Sequence, residues 1–193
     1  VPPVPRLIHE VCQAVAADGG DADRVRFADP GNWEPDVRAV EQGLYDAVMN
    51  VRAWEPFQGN TPPEEVVILE FDSVGVAPHH SYFLSVRQDL LERNPEFVRA
   101  FLAGTERGYR EAMDDEDAAV EAMSWPMCHV NPSVLRASLR AIRDSWFTPA
   151  GRWGQIQEHL VTTYTEWMES GGWLEEGSSI ESLKGAWTNA FLP

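Results

Sequence analysis

Lysine is almost missing from this chain: of 193 residues only Lys184 is one, and the other basic residues are Arg. Basic residues number 15 against 31 acidic ones, a net charge of −16. Such a charge repels phosphate backbones and anionic bilayers, which argues against nucleic-acid and membrane-surface binding, and it favours solubility. Cysteine is scarce too. Cys12 and Cys128 lie far apart, so there is no disulfide framework, although a single bridge stays open. Cys12 shares helical spacing with Val11 and Val15 and reads as a buried thiol. No apolar run of about 18 residues exists, so no membrane-spanning helix is expected. The opening residues, Val1 to Arg6, carry no apolar stretch of the signal-peptide kind. Nucleophile-elbow, phosphate-loop and dinucleotide motifs are absent, and nothing singles out a catalytic pair or a cofactor.

Apolar side chains make up 44% of the chain, including eight Trp and eight Phe, enough for a real core. Residues 6–17 predict a helix with Leu7, Val11 and Val15 on its inner face, entered through prolines and stopped by Asp18-Gly19-Gly20-Asp21. Residues 24–28 alternate as a short strand, and 34–43 read as a helix. Residues 44–51 read as a buried strand, 66–69 as a third strand, and 81–86 as a further one after a connector at 73–80. Helices alone follow. Asn94 caps one, with Pro95 in its first turn and Val98, Phe101, Leu102, Thr105, Tyr109 and Met113 along its stripe. Others are expected at 115–124 and 132–146, and over the core stripe Trp153, Ile156, Leu160, Tyr164 and Trp167. The tail from 174 is irregular with a short helix.

The expected architecture is α/β and lopsided: an alternating half with a parallel sheet, then a helical half. Amphipathic helices with little sheet to cover need another surface. That points to missing sequence or a partner chain.

In an open α/β sheet, ligands bind beyond the carboxyl ends of strands. Trp54 and Glu55 follow the expected strand 44–51. The indole can stack on a flat heterocycle, and the carboxylate can accept N–H bonds from an aminopyrimidine-like edge. The bland alternative is a packing Trp beside a solvated Glu. Asn32 and Trp33 occupy the same edge after the first strand, as a second aromatic wall or a staple onto the next helix. Arg6 can pair with a carboxylate or sulfonate, although Pro2, Pro3 and Pro5 remove backbone donors there. His79 and His80 sit in the connector, as ligand or hinge contacts. Adjacent His residues chelate poorly, so no metal site is expected there, with Cys128 and His129 relevant only if brought close.

Several stretches carry a family likeness: Asp18-Gly19-Gly20-Asp21, Gly43-Leu44-Tyr45-Asp46-Ala47, Trp54-Glu55, the run 89–109, and the closing Trp187-Thr188-Asn189-Ala190-Phe191-Leu192-Pro193. Together they resemble type II solute-binding proteins of ABC importers, in the thiamine-pyrimidine-precursor, alkanesulfonate, taurine and nitrate group. The nearest likeness is to the pyrimidine-precursor branch, in which the Trp54-Glu55 position faces the cleft. The resemblance implies a periplasmic-binding-protein-like fold of two α/β lobes. Residues 1–78 would be most of the second lobe. Residues 79–193 would be a crossover strand and the helical part of the first, whose opening strands are expected to be missing. It implies extracytoplasmic capture of a small organic molecule in an interlobe cleft, with an ABC permease as partner and no cofactor. Enzymes on the same scaffold (pyrimidine-precursor synthases, desulfinases, decarboxylases) are the alternative, but Met127-Cys128-His129 is too thin to match a cysteine-rich iron motif.

Overall fold

Proline sets the first helix. In the computed structural model, which describes residues 4–28, 37–174, 176–183 and 185–193, helix α1 spans Pro5–Ala17 with Val4 extended before it and Pro5 at its first position. The expected stop is a Schellman turn. Gly19, at φ 81°, donates to the Ala16 carbonyl at 3.0 Å, and Gly20 donates to the Val15 carbonyl at 2.8 Å. A Cβ at position 20 would meet Val15 Cγ1 at 2.8 Å, so glycine there leaves room for Val15, while the left-handed φ of the turn belongs to Gly19.

The chain divides into two units. One comprises Val1–His79 and Glu158–Lys184, the other His80–Gln157 and Gly185–Pro193. The first holds α1, α2 (Val37–Glu41), α7 (Glu158–Ser170), α8 (Ile180–Leu183) and several 3₁₀ turns, among them Glu55–Phe57 and Phe71–Val74. Gly75 closes the last of these at φ 90°, and a Cβ there would lie 2.6 Å from Gln13 Nε2 on α1. The next residue, Val76, is 2% exposed. Glu41 fastens α2 to a distant loop: its carboxylate accepts the backbone N–H groups of Asn60 and Thr61 at 2.7 and 2.5 Å. These bonds, Thr61 first, hold its carboxyl below the ordinary range.

The second unit holds α3 (Gln88–Arg93), α4 (Pro95–Asp114), α5 (Glu116–Ser124) and α6 (Pro132–Ile142). Asn94, Asp115 and Asn131 cap the last three through side-chain oxygens on Phe97, Ala118 and Ser133 N–H groups. Val98, Val120, Leu135 and Trp153 are buried, and Tyr109 meets Trp146 and Trp153 at ring-centroid separations of 4.7 and 5.3 Å. The closing segment is pinned by Asn189, which exchanges two hydrogen bonds with the backbone of Ile156, at 2.9 and 2.8 Å.

Three expectations are corrected. Among the described residues no strand forms at 24–28, 44–51, 66–69 or 81–86; the only β pairing is an isolated bridge between Phe147 and Trp153. The α/β layer is therefore replaced by helices and irregular segments. Strand propensity is local, but a strand exists only when a neighbour pairs with its N–H and C=O groups. Val67 and Tyr82, within two of the expected strands, are 86% and 76% exposed. The inner face of α1 is also rotated: Glu10 and Ala14 are its most buried residues, while Leu7, Val11 and Val15 are half-buried. Finally, the stripe from Trp153 to Trp167 is not one helix, because α7 starts at Glu158 and Trp153 belongs to the other unit. The helix expected at 34–43 begins, as described, at Val37.

Glu116 organises α5 against α6. Arg136 donates to it at 2.5 Å and Arg140 at 2.8 and 2.7 Å. Bonds from Arg140 and then Arg136 lower its carboxyl from 4.5 to about 2. A folded value below the unfolded one means the stabilisation is complete above about 4.5 and is lost as pH falls toward about 2. Urea midpoints followed by circular dichroism should decline across that window. Glu116→Gln should lower the midpoint at neutral pH and flatten the decline.

Candidate functional site

Arg6 and Glu10 stand one helical turn apart on α1, the spacing at which opposite charges meet. Glu10 is buried, with a side chain only 3% exposed, and Arg6 donates Nη1 to its Oε1. The same Nη1 donates to the hydroxyl of Tyr164 on α7 at 2.8 Å. Burial is the first cause that pushes the Tyr164 phenol above its usual range, and the Arg6 charge opposes it. A stack of rings extends from the phenol. His79 lies 4.0 Å from it at 22°, and Trp167 lies 5.6 Å away at 17°. The Nδ1 of His79 faces the Ala77 carbonyl at 3.0 Å, so that nitrogen carries the proton.

Two of the residues expected to bind ligand, Arg6 and His79, are thus brought together through Tyr164. Arg6 is already committed to Glu10 and the phenol, and it ties α1 to α7. Trp54 and Glu55 are half-buried. They lie where a 3₁₀ turn begins rather than at a strand end, since no strand forms at 44–51, and Glu55 Oε2 accepts the Val51 N–H at 2.8 Å. One carboxylate oxygen therefore braces the turn that presents the indole. His80 belongs to the second unit, where its Nε2 accepts the Gln157 N–H at 3.0 Å. That bond requires an unprotonated Nε2. Asn32 and Trp33 fall outside the described residues. Cys12 is half-buried and Cys128 exposed, both as free thiols.

Glu10 and Tyr164 were not singled out by the sequence. The available signal was an acid four residues after Arg6 on the same helix. Tyr164 stood in a stripe read simply as core.

The model of the NMT1/THI5-like family matches residues 5–119. The chain belongs to the NMT1/THI5-like family. This is a solute-binding-protein family of the thiamine, alkanesulfonate and nitrate group, with a periplasmic-binding-protein-like fold, and its members are typically extracytoplasmic. No curated protein matches the chain. The matched stretch of this NMT1/THI5-like protein runs from α1 into α5 and contains all seven residues expected to touch ligand. Tyr164 and Trp167 lie beyond it. Among the described residues, no helix is long and apolar enough to cross a membrane.

Removing one partner of a buried charge pair leaves the other uncompensated. Arg6→Met should destabilise the protein by about 3 kcal/mol, the low end of the buried-pair range because Arg6 is partly exposed. The double variant Arg6→Met with Glu10→Gln should recover much of that loss. A double-mutant cycle by urea denaturation checks the coupling.

Proposed function

We propose that the protein is the solute-binding component of an ABC importer that captures a small planar organic molecule, a pyrimidine precursor of thiamine or a similar heterocycle. The observation that carries this reading is the family match across residues 5–119. That stretch includes every side chain expected to contact ligand: Arg6, Asn32, Trp33, Trp54, Glu55, His79 and His80. The residues suit the chemistry. An indole at Trp54 offers a face for stacking, and Glu55 keeps a second carboxylate oxygen for N–H donors while the Val51 N–H holds the first. His79 adds an imidazole whose proton position is fixed by the Ala77 carbonyl. In this proposal residues 1–78 and 79–193 contribute to two lobes, the ligand sits in a cleft, and capture takes place outside the cytoplasm before delivery to a permease. A net charge of −16 fits an uncharged or cationic heterocycle better than an anion.

Isothermal titration of aminopyrimidines, alkanesulfonates and amino acids against the protein tests the reading. An aminopyrimidine should bind, and Trp54→Ala should weaken it by the worth of one stacked ring, about 1–3 kcal/mol or roughly 5- to 150-fold in Kd. Binding that is unchanged by both Trp54→Ala and Glu55→Gln would contradict it.

A further inference from the structure

Where the end of α7 faces α1, the first unit contains a wide-mouthed pocket of about 520 Å³, within the size range of small-molecule sites. Three aromatic rings form part of its wall. Trp167 and Trp173 lie 4.8 Å apart between ring centroids, and His9 lies 4.2 Å from Trp173 and 6.0 Å from Trp167. Gly171 fits the Trp173 indole so closely that a Cβ there would come within 2.1 Å of the ring. Polar groups are few. They are His9, the Cys12 thiol, the Ser170 hydroxyl and Gln13. Ser170 donates its hydrogen to the Trp167 carbonyl at 2.8 Å, which leaves its oxygen as an acceptor. The Oε1 of Gln13 is buried without a hydrogen-bond partner, a standing cost that an N–H donor removes. Among the described residues, no Asp, Glu, Arg or Lys lines the pocket.

We infer that this pocket is a second binding site, for a neutral, flat, nitrogen-containing aromatic molecule that stacks on Trp167 and Trp173 and donates an N–H to Gln13. The lack of Asp, Glu, Arg or Lys among the described lining residues favours neutral ligands, because a charged one would lose hydration there without a counter-charge. Broad contact with indole faces favours flat ones. The terminal torsion of a glutamine is broad, so the Gln13 amide turns toward a ligand without moving its aliphatic stem. The site stands apart from the reading above: Trp54 and Glu55 do not line it, and Trp167 and Trp173 lie outside the stretch that matches the family.

The two cysteines supply an internal control, since Cys12 lines the pocket and Cys128 is exposed elsewhere. Benzimidazole, which is flat and neutral above pH 7 and carries an N–H, is the probe, with 1-methylbenzimidazole as the partner that lacks the donor. Alkylation by iodoacetamide is followed at each cysteine by peptide mass spectrometry. At a concentration above its Kd, benzimidazole should slow Cys12 about threefold or more and leave Cys128 unchanged. The methylated probe should protect less, and Gln13→Leu should erase the difference between the two. Gly171→Ala, which displaces Trp173, should reduce protection, whereas Trp54→Ala should not. Equal slowing at both cysteines, no slowing at either, or loss of protection in Trp54→Ala would overturn the assignment.

Discussion

A carboxylate buried at Glu10 is the constraint on which the first unit depends. Taking such a group out of water costs several kcal/mol, and that cost is met only where a counter-charge and well-placed donors surround it. Arg6 supplies the charge from the same helix. Tyr164 supplies the link to α7, 158 positions further along the chain. Once that link is made, α1 and α7 are joined through their side chains. The rest of the ring system is then in place: His79 against the phenol, and Trp167 leading on to Trp173 and His9. The stack and the aromatic pocket are both consequences of where one acid was buried.

The second unit solves the same problem at the surface and mostly over short sequence separations. Asn or Asp caps start three of its helices, and one acid, Glu116, receives Arg residues from the facing helix. Its longer-range ties include Asn189 on the Ile156 backbone and His80 on the Gln157 N–H. They fasten the neighbouring positions 156 and 157 from the two ends of the unit.

Helices were legible in the sequence wherever their signals are local. Asn94 with Pro95, Asp115, and Pro132 after Asn131 mark three starts, and Gly19-Gly20 mark a stop, because each acts within a few residues. The family was legible too, from short motifs that fall largely inside residues 5–119. The strands were not. Residues 66–69 and 81–86 have the right side chains, but pairing is decided by other parts of a fold and cannot be read from one segment. The site was half legible. Arg6 and His79 were singled out, but Tyr164, which joins them, was one aromatic among many in a stripe. Burial of Glu10 ran against the rule that acids face water; only its distance of four from Arg6 hinted otherwise.

Amide hydrogen exchange on Tyr164→Phe, which keeps the ring but removes the hydroxyl that Arg6 reaches, tests the central claim most directly. If Glu10, Arg6 and Tyr164 clamp α1 to α7, residues 5–17 and 158–170 should lose protection together, while α4, α5 and α6 stay as they are. Faster exchange in only one of those two helices, or no change in either, would contradict the account.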